Sequence, residues 1–188
     1  MIYNYGNYYH LINRGCNRES IFKCEADYLE LINRIKSSNH NSLVKIISWC
    51  LMPNHYHFLV QQNSDKPASS WIRYIFNGYA QYFNKKYKRT GTLFEGRVRP
   101  KLITSNDYLF QVITYIHLNP VLANLVERPQ DWHFSNFSDW IGKAHTQLTD
   151  YNLRDEYFNS GKEYQKQVEK TLKDKLLQKE LSESDIEF

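Results

Sequence analysis

LVKIISWCL (43–51), MPN (52–54) and HYHFLVQ (55–61) make up the stretch that decides the fold. Two runs rich in β-branched and aromatic residues are joined by three residues, with proline where a hairpin turns, and so predict a pair of strands. Working outward, EADYLELINRIK (25–36) places Tyr28, Leu29, Ile32 and Ile35 at helical spacing, closed by the polar loop 37–41. Before it, YYHLINR (8–14) reads as a first strand ending at Gly15. After the hairpin, a polar loop at 62–67 leads to a long helix over about 68–87, with Trp71, Ile75, Tyr79 and Tyr82 recurring at three or four residues. Gly91 breaks that pattern, and TLFEGRVRPKLI (92–103) looks extended, with Arg97, Arg99 and Lys101 alternating onto one face. Ser105 is a good N-cap for a last core helix through Tyr108, Phe110, Val112, Ile113 and Ile116, which Pro120 ends or kinks. The order strand, helix, strand, strand, helix, strand, helix is a split βαβ pattern. It predicts an α+β sandwich with helices on one face of an antiparallel sheet.

The 188 residues suit one compact domain with a short appendage. That division places a domain at 1–145 and a helical C-terminal extension at 146–188, whose amphipathic helix over about 162–180 carries Tyr164, Val168, Leu172 and Leu176 on one face. With 41% hydrophobic and 15% aromatic residues the chain can build a core, and no apolar run is long enough for a membrane span. The tyrosine-rich start lacks a signal-peptide pattern, so a cytoplasmic location is the default expectation. Cys16, Cys24 and Cys50 are odd in number and fit no CxxC pair, which argues against a disulfide framework or zinc knuckle. Net charge is only +4, but between residues 73 and 101 eight basic residues face a single acid, Glu95. The concentration predicts an anionic partner bound by the domain body.

On a strand, His55 and His57 project from the same face and present two imidazoles side by side. Of the 15 tyrosines, only Tyr3, Tyr9 and Tyr115 are followed four residues later by Asn or Gln, and only Tyr115 lies in a predicted helix. There, Tyr115 and Asn119 share a face, so a phenol and an amide can address one point. If that face packs over the histidine strand, Asn119 Oδ1 becomes a third ligand beside a nucleophile. Two imidazoles and an amide oxygen leave open positions and add no negative charge, which suits Mg²⁺ or Mn²⁺ holding a phosphate oxygen. Tyr115 would then attack a phosphodiester in line, giving a phosphotyrosine-linked DNA strand and a free 3′ hydroxyl.

His55-Tyr56-His57 looks like an HUH motif, and the chain resembles the REP-associated tyrosine transposases, within the single-tyrosine transposases of insertion sequences. The resemblance runs through residues 8–15 (YYHLINRG), 52–57 (MPNHYH), 91–97 (GTLFEGR) and 115–120 (YIHLNP), covering roughly 8–140. It implies a ferredoxin-like HUH nuclease fold, a divalent metal, and cleavage and rejoining of single-stranded DNA beside a REP-like or insertion-sequence hairpin by a monomer or homodimer. The tail after about residue 145 matches no part of that pattern.

Each candidate has a structural reading beside the chemical one. The histidines could be an inert hydrogen-bonded pair, Tyr115 a core aromatic, and Asn119 the N-cap of a helix starting at Pro120. His117, about 200° round the helix from Tyr115, reads as a surface or packing residue, and Tyr79, Tyr82 and Tyr87 as core or base-stacking residues. Arg14, Lys85, Lys86, Lys88, Arg89, Arg97, Arg99 and Lys101, interleaved with aromatics, are the candidate DNA contacts. The competing functions are a non-catalytic hairpin-binding DNA or RNA module and a metal-dependent RNase.

Overall fold

The hairpin forms as its sequence predicts, with β2 (Val44–Met52) and β3 (His55–Gln62) pairing antiparallel across a turn at Pro53 and Asn54. In the computed structural model, residues 4–38 and 42–184 are described, with side chains to residue 175. The predicted loop positions 39–41 and the side chain of Leu176 lie outside them. Around the hairpin stand β1 (Tyr8–Arg14), α1 (Glu25–Ser37), α2 (Ala68–Lys86), β4 (Arg99–Leu102) and α3 (Asn106–Leu122). The sheet order is β2-β3-β1-β4 and every neighbouring pair is antiparallel, the ferredoxin-like arrangement. Short α4 (Phe137–Trp140) and α5 (Asn152–Tyr157) lead to the long α6 (Gly161–Ser184).

Strand alternation divides the buried residues into two layers. Tyr9, Leu11, Ile46, Trp49, Tyr56, Phe58 and Val60 pack against Leu31 and Ile35 of α1 and Ile72, Ile75 and Phe76 of α2. On the opposite face Ile47, Cys50, Met52 and Leu59 meet Leu109, Val112, Ile113 and Ile116 of α3, backed by Trp140, Tyr164 and Val168. The expected single helical face therefore holds for α1 and α2, while α3 and the C-terminal helices cover the other. The sheet can accept both because β2 and β3 are apolar on both sides. Tyr164 and Val168 are buried in the α3 layer, so residues from the C-terminal extension complete the core.

Two segments differ from the sequence reading. Only residues 99–102 of the predicted extended run 92–103 form a strand. Before it, Gly96 turns the chain at φ +79° and Phe94 makes an isolated bridge to Gly15. β4 is an edge strand, where Pro100 is tolerated without an amide hydrogen. Pro120 neither ends nor restarts a helix, since α3 runs through it to Leu122. Asn119 is consequently an interior helical residue and not an N-cap. Among the described residues no helix is long and apolar enough to cross a membrane.

Candidate active site

The face of β3 that carries His55 and His57 lies under α3. Ser105 caps α3 by accepting from the Tyr108 amide at 3.2 Å, with Asp107 in the first turn, and this start sets which residues face the sheet. Asn119 arrives over the histidine pair, its Oδ1 3.3 Å from His55 Nε2 and its Nδ2 3.2 Å from His57 Nε2. One turn earlier, Tyr115 stands edge-on to His57, ring centroids 5.5 Å apart. Tyr115 is 40% exposed where Asn119 is 7% and His57 1%, which excludes the core-aromatic reading.

Burial pushes both imidazoles toward the neutral form. His57 is held well below the usual histidine range by desolvation, reinforced by His10 and His55. His55 is lowered chiefly by burial, with the Asn119 hydrogen bond opposing and Arg14 adding to the fall.

The hydrogen bonds test whether these groups could hold a cation. The Asn54 amide is tied at both ends, Nδ2 donating to the Arg18 carbonyl at 3.1 Å and Oδ1 lying 2.7 Å from His55 Nδ1. His55 therefore donates from Nδ1 and keeps a lone pair on Nε2, which faces another acceptor, Asn119 Oδ1. A proton on Nε2, as in the charged imidazolium, or a metal ion between the two atoms would satisfy both acceptors. On the other side, His57 Nδ1 is 2.9 Å from His10 Nε2. With the shared proton on His57, its Nε2 lone pair is presented beside the same amide. Among the described residues no cluster of three or more His, Cys, Asp or Glu could hold a metal. An ion here depends on the amide oxygen and on positions left open for other ligands, and the donor set fits a divalent ion that also takes oxygen.

A cleft of about 510 Å³ opens over the site, lined by Asn13, Asn54, His55, His57 and Tyr115, with Arg14, Arg18 and Arg99 against the single acid Glu95. Arg14 pairs with Glu95 at 2.6 Å, which holds that carboxyl below its usual range. Among the described residues no carboxylate lies within ion-pair distance of Arg18 or Arg99, so the cleft carries free positive charge beside Tyr115.

The remaining basic candidates do not gather at one place. Lys101 lies over the Tyr108 ring at 4.9 Å. It shares a face of β4 with Arg99, opposite His10 of β1, whereas Arg97 precedes the strand and lines a separate cleft with Arg73 and Phe94. Lys85 and Lys88 are exposed at the end of α2. Arg89 spans Asn84 Oδ1 at 3.3 Å and Glu19 at 3.4 Å. Lys86 is engaged elsewhere, its Nζ 2.6 Å from Oδ1 of the buried Asp27. Burial raises the Asp27 carboxyl, but bonds from Lys86, the Lys23 amide and Tyr87 outweigh it and hold the pKa low. Tyr82 and Tyr87 bond the same carboxylate, and Tyr79 donates to the Ile21 carbonyl at 2.5 Å, so all three rival tyrosines are structural.

His117 is a fully buried packing residue, with Nε2 near Ser48 Oγ (3.1 Å) and Asn136 Oδ1 (2.9 Å) and Nδ1 2.5 Å from Tyr164 OH. Sequence reasoning missed His10, Arg18 and Asn54. Alternation offered a signal for His10: it shares a face of β1 with Ile12, which pairs with His57.

Residues 3–119 match the family model described as "Transposase IS200 like". Over 124 residues the chain is 29% identical to a Haemophilus influenzae protein provisionally named REP-associated tyrosine transposase, an overlap of 59% of this chain and 69% of the relative. The solved structure of a REP-associated tyrosine transposase bound to a REP hairpin shares the fold, with a TM-score of 0.63 and 21% identity over 81% of this chain and 93% of the other. The family match spans the histidine pair, Tyr115 and Asn119 together, and the chain belongs to the IS200-like transposases, as an enzyme of the HUH single-tyrosine type.

Proposed function

We propose that this enzyme cleaves and rejoins single-stranded DNA beside hairpins, with Tyr115 as nucleophile and His55, His57 and Asn119 as ligands of Mg²⁺ or Mn²⁺. The observation that carries the reading is the exposed Tyr115 hydroxyl-bearing ring beside His57, one helical turn from Asn119. A hairpin partner is suggested by the REP hairpin bound to the similar structure.

Tyr115 Oη attacks the scissile phosphorus and loses its proton to solvent. The bond from phosphorus to the 3′ oxygen breaks, that oxygen gains a proton, and the downstream strand is held as a 5′-phosphotyrosine diester. Attack by a 3′ hydroxyl on this diester reverses the step or joins a new end. When bound, the divalent ion supplies neutralisation of phosphate charge. Arg18 and Arg99 hold the flanking backbone, and Arg14 can exchange Glu95 for phosphate. Lys85, Lys88, Arg89 and Lys101 extend the positive surface, whereas Arg97 serves a separate cleft and Lys86 serves Asp27.

Incubation with hairpin-bearing single strands and Mn²⁺, resolved on denaturing gels, tests the assignment. A covalent adduct is expected for the native chain and none for Tyr115→Phe. An adduct that persists in that variant overturns Tyr115 as the nucleophile.

A further inference from the structure

Tyr115 borders two clefts. Besides the histidine cleft, it lines a groove of about 520 Å³ between α3 and α6. From α3 the groove takes Gln111 and Thr114, and from α6 it takes Gln167, Thr171 and Lys175. Lys175 Nζ sits 5.6 Å from the centre of the Tyr115 ring. Among the described residues no carboxylate is within ion-pair distance of this ammonium, and Asp107, in the first turn of α3, is the only acid lining the groove. Phe158 adds an aromatic surface, and the exposed Gln111 and Gln167 line the groove.

The lining sets Lys175 beside Tyr115 and one acid, Asp107, in the first turn of α3, among exposed amides, hydroxyls and aromatic surface, groups that can hold a single strand by its backbone and bases without a fixed sequence. Its position adds a geometric requirement. A phosphodiester attacked by Tyr115 has nucleotides on both sides, and two clefts meet at that residue. The two clefts share Tyr115 as a common wall, so a strand leaving the arginines across the phenol enters the groove between α3 and α6.

We infer that this groove binds the single-stranded DNA on one flank of the attacked bond, with Lys175 contacting its phosphate backbone. The C-terminal extension is then part of the DNA surface. The inference rests on the reading of Tyr115 as the nucleophile, and its test separates the two.

Binding is measured by fluorescence anisotropy in EDTA, with hairpin oligonucleotides carrying both flanks, only the 5′ flank or only the 3′ flank, against the native chain, Lys175→Gln and Lys175→Arg. Lys175→Gln is expected to weaken binding of the two-flank strand about threefold to fivefold. It should also make the slope of log affinity against log salt shallower by about 0.7. It should leave unchanged whichever one-flank strand lacks the part held in the groove, and Lys175→Arg should restore the loss. Equal weakening of all three strands, or no weakening of any, overturns the inference. Adduct formation is scored separately: an adduct without flank-specific coupling sinks the groove alone, and flank-specific coupling without an adduct sinks the nucleophile alone.

Discussion

The His10 and His57 rings lie stacked, centroids 5.1 Å apart and 21° from parallel, with His10 Nε2 2.9 Å from His57 Nδ1. This contact orients the imidazole whose other nitrogen meets Asn119. Groups behind a metal ligand set its tautomer and direction, and their loss costs roughly 10- to 100-fold in metal affinity. His10→Ala is expected to weaken Mn²⁺ binding by that order in calorimetry, and His10→Gln, which retains an acceptor, by less. Unchanged affinity in His10→Ala contradicts the orienting role.

Glu95 restrains Arg14 at the mouth of the cleft. Glu95→Gln removes the only carboxylate lining that cleft, so single-stranded DNA should bind more tightly. The salt slope should steepen by about 0.7 as one more phosphate is neutralised. Anisotropy titrations from low to moderate salt check both, and weaker binding by Glu95→Gln counts against the arrangement.

Lys86 supports the fold, whatever its place in the basic segment. Lys86→Gln leaves Asp27 buried without its cation, and the expected result is a lower Tm in thermal melts. DNA affinity should change by less than about twofold, because no phosphate contact is lost. Lys85→Gln should show the reverse pattern.

His117 makes stability depend on pH. Burial lowers its pKa from 6.5 to about 4, with the Asn136 hydrogen bond opposing. The unfolded chain takes up a proton below pH 6.5, whereas the folded chain does so only near pH 4. The His117 contribution is therefore intact above 6.5 and lost progressively between 6.5 and 4, about 3 kcal/mol in all. In His117→Gln, denaturant midpoints measured across that window should fall less steeply than in the native chain, even from a lower starting stability.

The hairpin at 43–61 and the helical spacing of Tyr115 and Asn119 were legible because local periodicity encodes them. His10 was hidden because its contact depends on the β1–β3 register, a property of two segments some 50 residues apart. The Asp27–Lys86 pair likewise joins distant helices, so a run of lysines gives no sign of which one is engaged. Asn119 was ambiguous for a local reason: Asn-Pro marks a cap in an isolated helix, but here packing carries α3 through Pro120. The cover on the second face depends on Tyr164 and Val168, which a periodicity reading could place on one helix face but not against a partner.

The His117 hub has a consequence for how ends could be exchanged. It ties α3 to β2 through Ser48, to the segment before α4 through Asn136 and to α6 through Tyr164. Tyr115 and Asn119 flank this anchor on the same helix, so under the proposed role of Tyr115 a strand joined to it would be moored to the core of the protein. Swinging the tyrosine toward a distant acceptor would pull Asn119 from the histidines and tear three buried attachments. On the proposed mechanism the DNA would then be the travelling component: the incoming 3′ end would come to an anchored tyrosine, and the reach of the exchange would be set by the flexibility of the nucleic acid.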